Sequence, residues 1–212
     1  MIKIVEYFTN HLDDYLQLVY EHILISFLCW TVALMIAIPL GIICSKYKFL
    51  QKISESLFGF LRIVPSMALL FLLIPVMGTG LLPALFALVV LAVPPILINT
   101  TQAFINIDEK MIEVAKGLGM GNMSIFWKVK LPLAFPSMFP GIRSAAIEVI
   151  ASATLASYIG AGGLGNIIFT GLGLMRTDLL YIGGLSVAIL SFISGLFLDL
   201  FFAYKTRYLK KG

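Results

Sequence analysis

Five apolar runs set the limits on what this chain can become: residues 23–44, 57–76, 82–104, 133–158 and 179–204. Each is near or above the roughly 20 residues that a helix needs to cross the hydrocarbon core of a bilayer. In lipid no water satisfies backbone N–H and C=O groups, so spans of this kind must be helical. The sequence therefore predicts an all-α, polytopic membrane protein with five transmembrane helices, organised as one bundle over residues 1–212. A soluble globule is excluded. At 60% hydrophobic and 12% charged residues, with mean hydropathy +1.01, the chain holds about half the charge of a soluble domain.

The basic residues lie mostly between the runs. Lys46, Lys48, Lys52, Lys110, Lys116, Lys128, Lys130, Lys205, Arg207, Lys210 and Lys211 fall in segments on one side, and Lys3 and Arg176 on the other. The positive-inside bias puts the larger group in the cytoplasm, with the N-terminus outside and the C-terminus inside. An odd number of spans agrees, since it puts the two termini on opposite sides. The net charge of +4 thus reads as orientation in a bacterial cytoplasmic membrane, and no nucleic-acid partner is expected. The first 20 residues carry Glu6, Asp13 and Asp14 but only Lys3. They lack the basic start of a cleaved signal peptide and are expected as an outer segment. Cys29 and Cys44 share the first run, about 22 Å apart on one helix. They cannot bridge each other and are expected as small core residues.

Pro39, Pro65, Pro75, Pro94 and Pro95 lie in or at the ends of spans, where each frees a carbonyl and bends the helix. Gly183, Gly184 and Gly195 are expected to permit close helix contact in the last span.

One segment breaks the apolar pattern. Residues 105–132 form the longest cytoplasmic connection and contain EVAKGLGMGNMSIFWKVKLP, 113–132. NIDEKMIEVAKGLG predicts a helix with Asp108 and Glu109 in its first turn, ended by Gly117, Gly119 and Gly121. MSIFWKVK predicts a second short helix leading to Leu131 and Pro132. Such a segment either lies on lipid headgroups or docks in the groove of a cytoplasmic partner.

Glu113-Val114-Ala115, then Gly119, then Val129-Lys130-Leu131-Pro132 resembles the EAA loop of permease subunits of binding-protein-dependent ABC importers. That pattern is E-A-A, three residues, G, nine residues, I-x-L-P; Val114 and Val129 are apolar replacements within it. RIVPSMALLFLLIPVMGTG (62–80), PPILINT (94–100), KGLGM and ATLASYIGAGGLG (153–165) resemble permeases for the osmoprotectants glycine betaine, carnitine and choline. The resemblance implies a type I importer permease bundle with a methionine-importer-like fold. It implies a coupling helix docked on a cytoplasmic ABC ATPase dimer, with Glu113, Ala115, Gly119, Leu131 and Pro132 at the contact. It further implies a second permease subunit, identical or related, and a separate extracytoplasmic substrate-binding protein. No cofactor is expected on this chain: ATP is expected on the partner, since no P-loop sequence occurs here. Four residues separate Ala115 from Gly119, which would set both on one flat helical face.

GAGGLG, 160–165, fits the dinucleotide fingerprint letter for letter. That reading fails because an apolar span precedes it and no acidic residue stands at the required distance. The surrounding segment, 159–174, holds six glycines and is too short to span. It is expected near the outer mouth, with Gly160, Gly162, Gly163 and Gly165 forming a gate or a permease–permease contact. Glu148 lies mid-span in the fourth run. Ionised there it must face protein or water, so it is either a hydrogen-bonded structural residue or a carboxylate in the translocation path. Arg143 is expected to reach towards the cytoplasmic interface, with Asp199 and Arg62 as structural charges nearby. Asn99 is expected in a helix–helix hydrogen bond. His11 and His22 have no acidic or cysteine partner spaced for a metal. The rival readings are an ion-coupled secondary transporter, an ABC permease for another small solute such as an amino acid derivative, and a structural assembly factor.

Overall fold

A computed structural model describes residues 2–61 and 63–207; Arg62, Lys210 and Lys211 lie outside the described residues. The chain starts with α1 (Ile2–Asn10) and turns at His11 into α2 (Leu12–Lys46). Two shorter helices follow, α3 (Lys48–Leu61) and α4 (Ser66–Met77), then the long α5 (Leu81–Ile105). The polar insert holds α6 (Glu109–Gly117) and α7 (Asn122–Ile125), and α7 runs through a wide π turn, Phe126–Lys130, into α8 (Leu131–Ala156). A single 3-10 turn, Ser157–Ile159, precedes the glycine-rich loop, α9 (Gly165–Gly173) and α10 (Thr177–Lys205). No strand occurs among the described residues.

The main core joins α2, α5 and α8. Cys29, Ala33 and Ala37 of α2 meet Ala84, Leu88, Ile96 and Leu97 of α5 and Ala145, Val149 and Ala153 of α8. Small residues dominate this seam because lipid gives helices no hydrophobic reason to associate, and close van der Waals contact must supply the attraction. Of the apolar stretches, 61% of that in α5 is buried against 28% in α2 and 11% in α10, so α5 is the axis of the subunit. Side chains stitch the helices through backbone carbonyls of their neighbours. Trp30 donates from Nε1 to Ile142 O at 3.0 Å, and Thr101 Oγ1 donates to Gly41 O at 3.3 Å. A second cluster sits at one end, where Leu164, Ile167, Leu179 and Ile182 take Ile4, Tyr7 and Phe8 of α1.

The expected second span is not one helix. α3 and α4 meet at 94° around Pro65. Proline has no N–H to continue a helix and restricts the residue before it, so Pro65 starts α4 rather than sitting inside a span. At 12 residues, α4 is about 18 Å long, shorter than the ~30 Å core. Among the described residues four helices are long and apolar enough to cross alone, and a fifth crossing is added if the bent pair counts as one.

Two smaller expectations also change. Asn99 Nδ2 donates to Pro95 O at 2.8 Å within its own helix, rather than across helices. Gly183 does permit close contact, since a Cβ there would lie 2.5 Å from Ile168 Cγ1, but Gly184 faces open space. A further close approach between spans falls at Gly141, a position the glycine pattern of the last span did not reveal: a Cβ there would meet Asn99 Cβ at 2.7 Å and the Pro95 carbonyl oxygen closer still.

Candidate coupling surface and outer loop

The insert is built from its caps outward. Asp108 is the N-cap of α6, its Oδ1 accepting the Lys110 N–H at 3.0 Å, which satisfies one of the orphan donors of the first turn. Glu109 adds negative charge where the helix dipole is positive. The helix ends at Gly117. Gly119 follows with φ +76°, its N–H bonded to Lys116 O, while Met120 N–H reaches back to Ala115 O. Gly119 therefore lies beyond the helix, and it shares no helical face with Ala115. Ala115 is buried at 5% exposure, whereas Glu113 and Gly119 are exposed.

A stripe that sequence reading did not single out runs along α6. Met111, Val114 and Leu118 are 49%, 61% and 77% exposed. They sit at i, i+3 and i+7, with Leu118 the C-cap residue just past α6, its N–H still bonded to Val114 O, so the three continue one face. Met123 and Trp127 extend the exposed apolar surface into the next turns. Apolar side chains gathered on a polar segment mark a surface meant to be covered. The spacing was readable in MIEVAKGL, but helix periodicity alone does not say which face is free.

The predicted second short helix does not stand apart. Through Phe126–Lys130 it widens into a π turn, with Leu131 N–H bonded to Phe126 O, and continues into α8. Pro132 explains the widening, since it offers no N–H to a regular turn. Leu131 and Pro132 are half-buried at this joint. Beside it a cleft of about 450 Å³ gathers Lys46 from the end of α2, Lys116 from α6 and Lys130 from the π turn. The end of α2 and the polar insert thus share one end of the bundle, as the charge count requires.

The glycine-rich loop lies at the opposite end. Gly160, Gly162 and Gly163 have φ of +89°, +86° and +83°, a conformation other residues adopt only under strain. Gly80 N–H donates to Ile159 O at 2.6 Å, tying the α4–α5 link to the loop. Ser157 Oγ donates to Gly162 O. Gly163 N–H donates to Glu21 Oε2 at 3.1 Å. Gly165 packs against Thr154 O and Ser157, with no room for a Cβ. Gly163 and Gly165 are buried, Gly162 is half-buried, and Gly160 is exposed. The element before the loop is α8 and its 3-10 turn, not a strand.

Two charged positions fall within α8. Arg143 turns to α10, its Nε 2.7 Å from Asp199 Oδ1, and both side chains are about half exposed at 39% and 49%. It is thus paired across helices with Asp199. Glu148, five residues on, is half-buried. At the end of the bundle that carries the glycine-rich loop, Arg176 pairs with Asp178 through two contacts. That hydrogen bonding raises the Arg176 pKa above its already high usual value. Burial raises the Tyr7 hydroxyl in turn, and the nearby Asp14 carboxylate adds to the rise.

Fold and insert together define a polytopic, multi-pass membrane subunit. The family of binding-protein-dependent transport system inner membrane components matches residues 37–210, and this chain belongs to it. Among curated relatives, the carnitine transport permease protein OpuCB of Listeria monocytogenes is 38% identical, covering 91% of this chain and 88% of its own. The choline transport system permease protein OpuBB of Bacillus subtilis is 37% identical, over 91% of this chain and 89% of its own. Among solved structures, an inward facing form of the MetNI methionine ABC transporter superposes with TM-score 0.68 at 23% identity. It covers 88% of this chain and 95% of that one, and it shows the fold: a type I importer permease bundle. Membership makes the chain a transport component rather than an enzyme, and it implies an ATPase and a substrate-binding protein as partners.

Proposed function

We propose that this chain is the permease subunit of an ATP-driven importer for quaternary-ammonium osmoprotectants: glycine betaine, carnitine and choline. The observation that carries the reading is likeness over nine-tenths of the chain to permeases named for carnitine and choline. In this reading two permeases, identical or related, enclose the path, and the N-terminus lies outside with the C-terminus in the cytoplasm. ATP binds to a separate cytoplasmic ATPase dimer, and this chain holds no cofactor. Closure of that dimer drives the bundle between inward- and outward-facing forms.

The insert transmits the motion. The exposed face of α6, with Glu113 and the Met111–Val114–Leu118 stripe, seats in the ATPase. Ala115 and Gly119 set the shape of the helix end, and Leu131 and Pro132 join it stiffly to α8. A rigid connection is needed, because a flexible one would dissipate the displacement. Gly160, Gly162, Gly163 and Gly165 form the outer gate. Glu148 is a carboxylate on the path, where it favours a cationic substrate over an anion.

The test is uptake. The permease, its ATPase and its binding protein are reconstituted in liposomes, and accumulation of labelled glycine betaine, carnitine and choline is followed. ATP-dependent accumulation of at least one, insensitive to proton and sodium gradients, is expected. Uptake that follows an ion gradient without the ATPase would overturn the reading.

A further inference from the structure

We propose that Glu21 is the positioning residue of the outer gate. The inference rests on the reading of residues 160–165 as that gate and names what holds it. Three loop glycines in left-handed conformation do not fix themselves, since glycine has more backbone freedom than any other residue. An outside restraint must choose the conformation, and α2 supplies it. Glu21 Oε2 accepts the Gly163 N–H at 3.1 Å across 142 residues of sequence. The same carboxylate is held from the other side by Gln17 Nε2, which donates to Oε1 at 3.0 Å. A Cβ at Gly162 would fall 2.7 Å from Glu21 Oε2, so the acid fits against bare backbone.

Its neighbour His22 forms the floor. The ring is fully buried and Nε2 contacts Ile150 O at 3.0 Å. A Cβ at Gly163 would lie 3.0 Å from His22 Nδ1 and 3.3 Å from His22 Cα. The loop is therefore gripped between α2 on one side and Ser157 with the Gly80 link on the other. A charged acceptor on a backbone N–H makes a stronger bond than a neutral pair, and Glu21 is half-exposed, so the bond can be released without stranding a buried charge. The grip comes from residues 17–22, ahead of the family match at 37–210.

The experiment uses the full reconstituted complex and reads substrate moved per ATP hydrolysed, beside thermal stability. Glu21→Ala removes the acceptor and is expected to lower transport per ATP by roughly tenfold, the lower end of what one charge-assisted hydrogen bond carries. Glu21→Gln keeps an acceptor for Gly163 and a partner for Gln17, and is expected to stay within about twofold of wild type. A purely structural Glu21 would change stability and leave the ratio untouched, and that result overturns the inference. If Glu21→Ala does not assemble, Gln17→Ala is read instead: a lowered ratio supports the proposal, an unchanged one overturns it. Gly163→Leu separates the two layers. If it leaves coupling intact, the gate reading itself fails; if it uncouples transport while Glu21→Ala does not, only the role of Glu21 fails.

Discussion

Replacing Gly141 with alanine tests the packing that makes this bundle rigid. A Cβ there would lie 2.7 Å from Asn99 Cβ, and closer still to the Pro95 carbonyl oxygen. Carbon atoms rest at about 3.5 Å or more, so the overlap is close to 1 Å. The obstacle is backbone and a Cβ of α5, neither of which can rotate away. Asn99 is moreover fastened to Pro95 O through its amide. The helices must separate, at a cost of about 1–3 kcal/mol for an overpacked contact. Gly184→Ala is the matched control, because a Cβ there meets nothing within 4 Å. It should gain up to about 1 kcal/mol from helix propensity. The two variants should therefore differ by about 1–4 kcal/mol, or about 2–16 °C in melting temperature for a chain of this size. Differential scanning fluorimetry of both purified proteins at one scan rate gives the comparison. Equal melting temperatures would refute the packing argument.

Arg143→Leu strands Asp199 among apolar neighbours and should destabilise by about 1–3 kcal/mol, with the double change Arg143→Leu, Asp199→Leu recovering most of it. A double-mutant cycle in thermal stability reads this, and additive losses would contradict the pairing. Glu148→Gln should raise the KM for a cationic solute about tenfold, the ~1.4 kcal/mol of a lost charge contact, while stability holds; unchanged uptake would return Glu148 to a structural role.

Much of this structure is written plainly in the sequence, because lipid leaves few options. Runs such as 82–104 and 179–204 had to be helices, and they are. The insert was equally legible: Asp108, Glu109 and Gly117 are local signals acting over one or two turns, and they bound α6 as expected. What escaped were features that hydropathy does not register. The run 57–76 counts as a span because Pro65 is one residue among many apolar ones, yet its missing N–H divides the helix at that point. Four-residue spacing placed Ala115 and Gly119 on one face, but that holds only while the helix lasts, and α6 stops before Gly119. The bond from Glu21 to Gly163 joins residues in different helices, and no periodicity announces such a partner.

The central claim is that a separate ATPase moves this bundle through the exposed face of α6. Cysteine placed at Leu118, 77% exposed beyond the end of that helix, reports on it directly after the native Cys29 and Cys44 are changed to serine. In the assembled transporter, Leu118→Cys should crosslink to single cysteines in the ATPase groove, and Leu118→Asp should release the ATPase from the purified complex. Absence of any crosslink in both the ATP-bound and nucleotide-free states, with Leu118→Asp still fully assembled and active, would contradict the account.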